Sequence, residues 1–383
     1  MNGRGEPDRG VTAWGLRDVH GRGMVMSYLI NTWYCVGWSE SVPAEVVVPI
    51  KVIDREFVLF RDLAGQAAAL ENRCPHRFAP LDRGRICHGR LQCGYHGLLF
   101  DGEGHCVENP HGKGVITSAL NVRSFPLIER YGALWLWPGD AAPDEALLPN
   151  FSAFDPETAY VGRRHLHAKA NYELAVDNIL DLSHIQYLHG STLGSAAISR
   201  ARTSVERVGN SIWSRRLVID EQLTPFLEKA FFIQPGQHVD RRLDVRWDAP
   251  ASLLLEVTVR PTGRPESEAH LRTFAHLFTP ETLTTTHYYF ALTYPKTMGE
   301  QFQRLAIDGI AAISVPFETE DLPMLEAQQR VVGSANFMKM RPAMLPGDAG
   351  ATLARRALAK LIAREQAAEP ADSDHRIQTE EVA

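Results

Sequence analysis

The sequence predicts an α+β protein of two domains, a small β-sandwich followed by a larger sheet-and-helix domain. Three observations carry that expectation. Short β-branched runs broken by Gly and Pro clusters fill the chain up to Trp137, a Pro-marked stretch runs from Asp140 to Pro156, and long alternating strands followed by helical patterns lie beyond it. With 383 residues, 44% of them apolar, the chain can bury two cores of ordinary size.

In order, residues 1–25 read as a loose arm, rich in Gly and Arg and without the apolar run of a secretory signal. Met24 to Trp38 is aromatic and apolar but contains Asn31 and Thr32. It falls short of the roughly 18 apolar residues a span requires, so it is expected to enter the first domain, 26–142. Val46 to Phe60 alternates around a turn placed at Asp54-Arg55, a hairpin signature. Leu134 to Trp137 is expected to close the domain as a strand, and Asp140 to Pro156 reads as a linker. In the second domain, 143–367, strands are expected at Ser211–Ile219, Leu253–Val259, Arg272–Phe278 and Thr284–Tyr294. Helices are expected at Lys296–Ile313, Thr319–Val332 and Ala351–Ala367, and the polar acidic tail, 368–383, reads as disordered.

A net charge of −6 leaves no nucleic-acid footprint, and no basic run suits an anionic membrane surface. The five cysteines form no even disulfide framework, so a reducing cytoplasm is the expected setting.

Two motifs bear chemistry. Cys74-Pro75-His76 and Cys93-Gly94-Tyr95-His96 give C-x-H and C-x2-H, a ligand set that suits a Rieske [2Fe–2S] cluster, with cysteines on one iron and histidines on the other. Zinc is the alternative for two Cys and two His, but zinc fingers group their cysteines in one pair and their histidines in the other, whereas both pairs here are mixed. Cys87-His88 and His105-Cys106 could supply substitutes; neither has the mixed spacing. The second motif lies in Asn171 to Gly190, where Asp177, Asp181 and His184 interrupt an apolar helical pattern and fall on one helix face. His189 can join His184 on one metal only if the helix loosens before it. Two imidazoles with a distant carboxylate would make a facial triad suited to ferrous iron, leaving positions open for dioxygen.

With both motifs in order, the sequence resembles the oxygenase component of the Rieske non-haem iron oxygenases, on the branch of the vanillate and dicamba O-demethylases. The likeness extends over TWYCVGWSESV, CPHR, CGYHG, YGALWLWPGD, Asn178-x2-Asp181-x2-His184-x4-His189, FTPETLTTTHYYF and EDLPMLEAQQ. It implies a helix-grip-like catalytic domain, a curved antiparallel sheet wrapped on a long helix. It also implies Cys74, His76, Cys93 and His96 as cluster ligands and Asp321, at a helix start before Pro323, as third iron ligand, with Glu318 and Glu320 as possible substitutes. Asn178 would line the iron site, and Asp181 would join His184 to His96 of a neighbouring subunit in a homotrimer.

The same resemblance implies electrons from a separate NAD(P)H-dependent reductase, with or without a ferredoxin. No G-x-G-x-x-G in a βαβ context and no flavin motif stands in this chain. The expected reaction is monooxygenation or O-demethylation of an aromatic substrate, an aromatic acid among the candidates. The alternatives are cis-dihydroxylation of a ring and an electron-transfer or binding protein without the mononuclear iron. His238, Arg246, Trp247, His276, His287 and Tyr289 fall in strands able to face a cavity, each more readily an ordinary sheet residue.

Overall fold

The structure, a computed structural model, describes residues 28–333 and 337–368; the arm at 1–25 and the tail beyond Ala368 lie outside the described residues. The first domain holds β1 (Tyr34–Trp38), β2 (Val48–Val52), β3 (Arg55–Arg61), β4 (Ala67–Glu71), β5 (Arg85–Cys87), β6 (Arg90–Gln92), β7 (Leu99–Phe100), β8 (Cys106–Glu108), β9 (Ser124–Phe125), β10 (Leu127–Arg130) and β11 (Ala133–Leu136). They pair as β2-β3-β4-β9, β5-β6-β7-β8 and β1-β11-β10. The entry segment packs as expected, with β1 wholly buried against β11.

The hairpin turn between β2 and β3 is Ile53-Asp54, one residue earlier than the sequence suggests, with φ of 49° and 62°. A β-branched residue in the left-handed region is costly. Docking offsets that cost, because Ile53 is buried and the two backbone N–H groups donate to the carbonyls of Pro280 and Glu281 at 2.8 and 2.9 Å. The stretch read as a linker is also packed. Phe151 and Phe154 are buried, and the Phe151 ring stacks 6.2 Å from Trp135.

The second domain is built on β12 (Ala159–Ala168), β13 (Arg202–Val208), β14 (Ser211–Gln222), β15 (His238–Asp248), β16 (Ser252–Pro261), β17 (His270–Thr282) and β18 (Thr285–Pro295). They form one antiparallel sheet in the order β12-β18-β17-β16-β15-β14-β13. Alternation gives this sheet two jobs. Ala275, Leu277, Tyr289 and Ala291 face the first domain and join Trp33, Trp38, Trp135 and Trp137 in one buried cluster. The intervening residues of β17 and β18 face inward, towards the helices and the main core.

The helices are α1 (Tyr172–Leu180), α2 (Pro225–Phe231), α3 (Gln301–Pro316), α4 (Leu322–Val332) and α5 (Ala349–Ala368). Asn171 caps α1, its side chain accepting from Glu173 N–H at 2.9 Å. The helix stops earlier than the sequence pattern implied: Asp181 is extended (φ −114°, ψ 90°) and a 3-10 turn covers Leu182–Gln186. Asp177, Asp181 and His184 therefore do not share one face; Asp177 pairs with Arg355 and Asp181 with Arg216. The expected helix start at Lys296 yields to a single turn, because Gly299 takes φ 105° and α3 begins only at Gln301.

Asp321 does not begin a helix either. Phe317–Asp321 is a π turn joining α3 to α4, with the Leu322 N–H reaching back to the Phe317 carbonyl. Pro323 supplies the reason, since it has no N–H and its ring would strike the carbonyl four residues earlier in a regular helix.

Arg355 of α5 clamps α1, meeting Glu173 at 2.6 Å and Asp177 at 2.7 Å. Burial pushes the Asp177 carboxyl up to about 6, against the pull of Arg355. Asp177 keeps 23% of its side chain exposed, so Arg355→Met should cost about 2 kcal/mol at pH 8, less than a fully buried pair. The deficit should shrink as pH falls through about 6, where Asp177 gains a proton and the guanidinium stops mattering to it. Urea titrations of both proteins at pH 8 and pH 5 measure this; a larger deficit at the lower pH would contradict it.

Candidate metal centres

The first centre is made by two loops with matching backbone. Cys74 N–H donates to Ala79 and Cys93 N–H to Leu98, each five residues on, while the Cys74 and Cys93 carbonyls accept from Phe78 and Gly97, each four residues on. Phe78 and Gly97, at equivalent places, have φ of 56° and 77°. Glycine takes that conformation freely. Phe78 takes it under strain, with its ring outside and Arg73 over its face at 5.2 Å.

These loops bring Cys74 and Cys93 side by side, both buried, and set the rings of His76 and His96 4.5 Å apart nearer the surface. Burial, together with a hydrogen bond to Cys93, raises the Cys74 thiol to about 11. Two apposed buried cysteines, capped by two imidazoles, fit a cluster whose iron would hold them as thiolates. Cys87 bonds Gln92, Cys106 bonds the Glu108 carbonyl, and His105 faces Asp101 and Glu103. All five cysteines are free of disulfides.

The second centre lies where the turn after α1 meets the π turn. Nitrogens of His184 and His189 and a carboxylate oxygen of Asp321 lie within 4.8 Å of one another. The His189 Nε2 is 3.0 Å from Asp321 Oδ2, and the His184 Nε2 is 3.6 Å from Asp321 Oδ1. Both Nδ1 atoms point the other way. His184 Nδ1 meets the Asp181 backbone carbonyl at 2.8 Å, and His189 Nδ1 meets the Glu320 carboxylate. Each outward partner accepts a hydrogen bond from Nδ1–H, which favours the tautomer whose inward Nε2 lone pair a metal requires. Asn178 donates to Asp321 Oδ1 at 3.0 Å and steadies the carboxylate. Burial lowers His184 from its ordinary range; burial also opposes charge on His189, but Asp321 and Glu320 outweigh it and raise that imidazole. The donor set and the three converging atoms fit a divalent iron.

Of the two alternatives to Asp321, Glu318 is exposed and Glu320 sits behind His189. Asp181 differs from expectation, because its backbone and not its carboxylate meets His184. The carboxylate accepts from Ser183 at 2.8 Å and from Arg216 at 3.0 Å. Among the described residues no hydrogen bond, ion pair or ring contact joins the two centres.

A cavity of about 390 Å³ opens beside the second centre, lined by His184, His189 and Asp321 and by mainly apolar side chains of α1, α2, α3 and the inner sheet face. Of the six strand residues named from sequence as able to face it, His276 does. His238 is exposed beside Asp220, Arg246 pairs with Asp248, and Trp247 is in the core. His287 and Tyr289 lie on the opposite face, where His287 meets the Lys51 carbonyl and Tyr289 the edge of Trp38. Sequence reasoning missed Arg241 and Arg272, also in the cavity wall. No local signal marked them, since charged residues interrupt the alternation of β15 and β17 is buried over most of its length.

A β domain with a Cys2His2 cluster site, followed by a sheet domain with a 2-His-1-carboxylate site at a cavity, defines the class of Rieske non-haem iron oxygenases. Comparison with known proteins agrees. Residues 32–126 match the Rieske [2Fe-2S] domain, and residues 168–364 match the vanillate O-demethylase oxygenase C-terminal domain. The chain is 37% identical to the chloroacetanilide N-alkylformylase oxygenase component of Rhizorhabdus wittichii, over 86% of this chain and 94% of that one. It is 35% identical to the dicamba O-demethylase oxygenase component of Stenotrophomonas maltophilia, over 88% and 98%. The crystal structure of dicamba monooxygenase bound to 3,6-dichlorosalicylic acid superposes with a TM-score of 0.82 at 33% identity, covering 89% of this chain and 99% of that chain. The protein therefore belongs to the Rieske non-haem iron oxygenase family, on its vanillate O-demethylase branch, and is an oxidoreductase that uses a [2Fe–2S] cluster and a mononuclear iron.

Removing a carboxylate behind a metal-binding histidine typically costs 10–100-fold in metal affinity. Glu320→Ala should therefore weaken ferrous iron binding by about that factor, with Glu320→Gln intermediate, while the cluster absorbance stays unchanged. Anaerobic calorimetric titration with ferrous iron reads the difference, and unaltered affinity in the alanine variant would refute the role.

Proposed function

We propose that the protein is the terminal oxygenase of a multicomponent system that monooxygenates or O-demethylates an aromatic substrate with electrons from a separate NAD(P)H-dependent reductase, directly or through a ferredoxin. The observation that carries this reading is the convergence of His184, His189 and Asp321 in the wall of an apolar cavity of about 390 Å³. That volume suits a single-ring substrate, and the apolar wall keeps water from the reacting carbon.

In this reading Cys74, Cys93, His76 and His96 hold the cluster, and His184, His189 and Asp321 hold the mononuclear iron. When bound, the two centres supply one-electron transfer and activation of dioxygen. The chain's own residues do the rest. Asn178 fixes the Asp321 carboxylate, the Asp181 carbonyl and Glu320 fix the two imidazoles, and the cavity wall holds a C–H bond against the open side of the site. Hydroxylation of an aryl methoxy group gives a hemiacetal that releases formaldehyde and leaves the phenol.

Asp181 acts as the relay between His184 and His96 of a neighbouring subunit, in a homotrimer. Two observations support this: the two centres share no contact within one chain, and Asp181 keeps 17% of its side chain exposed beside the turn that holds His184. A closed ring of heterologous contacts would supply the missing approach. The reducing cytoplasm suits the assembly, and among the described residues no helix is long and apolar enough to cross a membrane.

Purified holoprotein should hold about three iron atoms per chain, show the visible absorption of a Rieske cluster, and consume oxygen with a reductase only when a methoxylated aromatic is present. A colourless zinc protein, or two irons without turnover, would overturn the reading. Asp181→Ala should keep cluster absorbance and iron content while turnover falls by about two orders of magnitude or more, as expected when a bridging hydrogen bond is lost. Near-normal turnover in that variant would remove Asp181 from the electron route.

A further inference from the structure

We infer that Arg272 is the specificity-determining residue of this cavity, the anchor for an anionic group, carboxylate or sulfonate, at the end of the substrate farthest from the iron. The inference rests on the oxygenase reading above and adds a residue and an orientation to it.

Two guanidiniums line the cavity, and their states differ. Arg241 is 2% exposed and neutralised by Glu221, with Nε and Nη2 on that carboxylate at 2.9 and 2.6 Å and Nη1 on the Leu193 carbonyl. Arg272 is 3% exposed and forms no ion pair among the described residues. Its Nη1 donates to the Leu271 carbonyl at 2.8 Å and its Nη2 to the Ala230 carbonyl at 3.3 Å. The Nε–H has no partner. The rings of Phe231, Phe232 and Tyr294 surround the guanidinium carbon at 5.4, 5.2 and 4.7 Å. Aromatic faces and carbonyls hold a cation in place, yet they do not supply the counter-charge a buried guanidinium calls for. The one acid lining the cavity outside the iron site, among the described residues, is Asp308, and it is engaged by Arg304 at 2.8 Å. Buried, bracketed by aromatic rings and without an acidic partner among the described residues, Arg272 is suited to an anion that arrives with the ligand.

Its place on β17 fixes the orientation. Arg272, Phe274 and His276 alternate onto the inner face, so Arg272 and His276 are about 13 Å apart along the backbone. His276 lies at the iron end, its ring 5.8 Å from that of Phe317 at the start of the π turn. Arg272 lies at the other end, against Phe231, Phe232 and the Ala230 carbonyl, where the exposed lining residues Lys229 and Phe232, on α2 and at its end, and Asp308 of α3 mark the mouth. A substrate enters with its apolar end leading and leaves its charge at the mouth. The favoured ligand is a ring with the oxidised group and the anion on opposite sides.

The test titrates oxidised holoprotein, which cannot turn over without reductant, with two matched pairs: 4-methoxybenzoate against 4-methoxybenzamide, and toluene-4-sulfonate against toluene-4-sulfonamide. Calorimetry should find at least one acid bound about tenfold or more tighter than its neutral partner, the gap expected of a charge-assisted bond. The pair that shows the gap tells carboxylate from sulfonate. Arg272→Met should close the gap, and Arg272→Lys should keep part of it, with cluster absorbance unchanged in both. The comparison on the wild-type protein needs no variant to fold. Equal affinity for both members of each pair, no binding of any of the four, or a gap that survives Arg272→Met would each overturn the anchor. Oxygen uptake on uncharged aromatics together with such a result would leave the oxygenase reading standing, whereas absence of iron would end that reading instead.

Discussion

Burying the Asp321 carboxylate between two imidazoles is the constraint around which this molecule is arranged. A carboxylate at 5% exposure is costly unless every oxygen is answered. Here Oδ1 accepts from Asn178, and Oδ2 lies 3.0 Å from His189 Nε2, where a divalent iron held between them would answer both, so the partners come from α1 and from the turn that follows it. Two devices let distant segments meet at one point. Asp181 breaks α1 and allows a 3-10 turn to swing His184 inward, and the π turn adds a residue that rotates Asp321 out of the regular helical face. The clamp from Arg355 then holds α1 against α5 and keeps the first of these segments in register with the second.

The cluster domain solves a related problem with local means. The four residues proposed as its ligands come from two short loops of the same hydrogen-bond pattern, so their geometry depends little on the rest of the fold. What the rest of the fold supplies is attachment. Four tryptophans, the Ile53-Asp54 turn and the packed stretch around Phe151 fasten that domain to the outer face of the large sheet, while the inner face of the same strands builds the cavity. Alternation along β17 and β18 is thus used twice, once for attachment and once for the wall beside the iron.

How much of this was legible in the sequence follows from how local each feature is. The cluster loops and the four expected strands were readable because their signals, C-x-H spacing and alternation, are local. β12, β13 and β15 were not, because Arg163 and Arg164, then Arg202, Glu206 and Arg207, then Arg241, Arg242 and Asp244 interrupt their patterns. The buried ones among them are held by pairs the sequence does not display, Arg241 with Glu221 and Asp244 with Arg215 and Arg242. The π turn was hidden for a similar reason, since Pro323 reads equally well as an early residue of a new helix.

The same difference in range separates the catalytic set from the cavity. His184 and His189 announce themselves because both must reach one point from a short stretch, and that requirement leaves a spacing. Arg272 and His276 leave none, since a strand face repeats every second residue whatever it faces. Only the packing of α2 and α3 over that face makes the two positions chemically unequal, one beside a carboxylate-imidazole site and one beside aromatic rings and bare carbonyls. Reaction type is therefore written in short motifs, while the choice of substrate is set by which helices cover which strand, and relatives that share the first can diverge in the second by repacking the mouth alone.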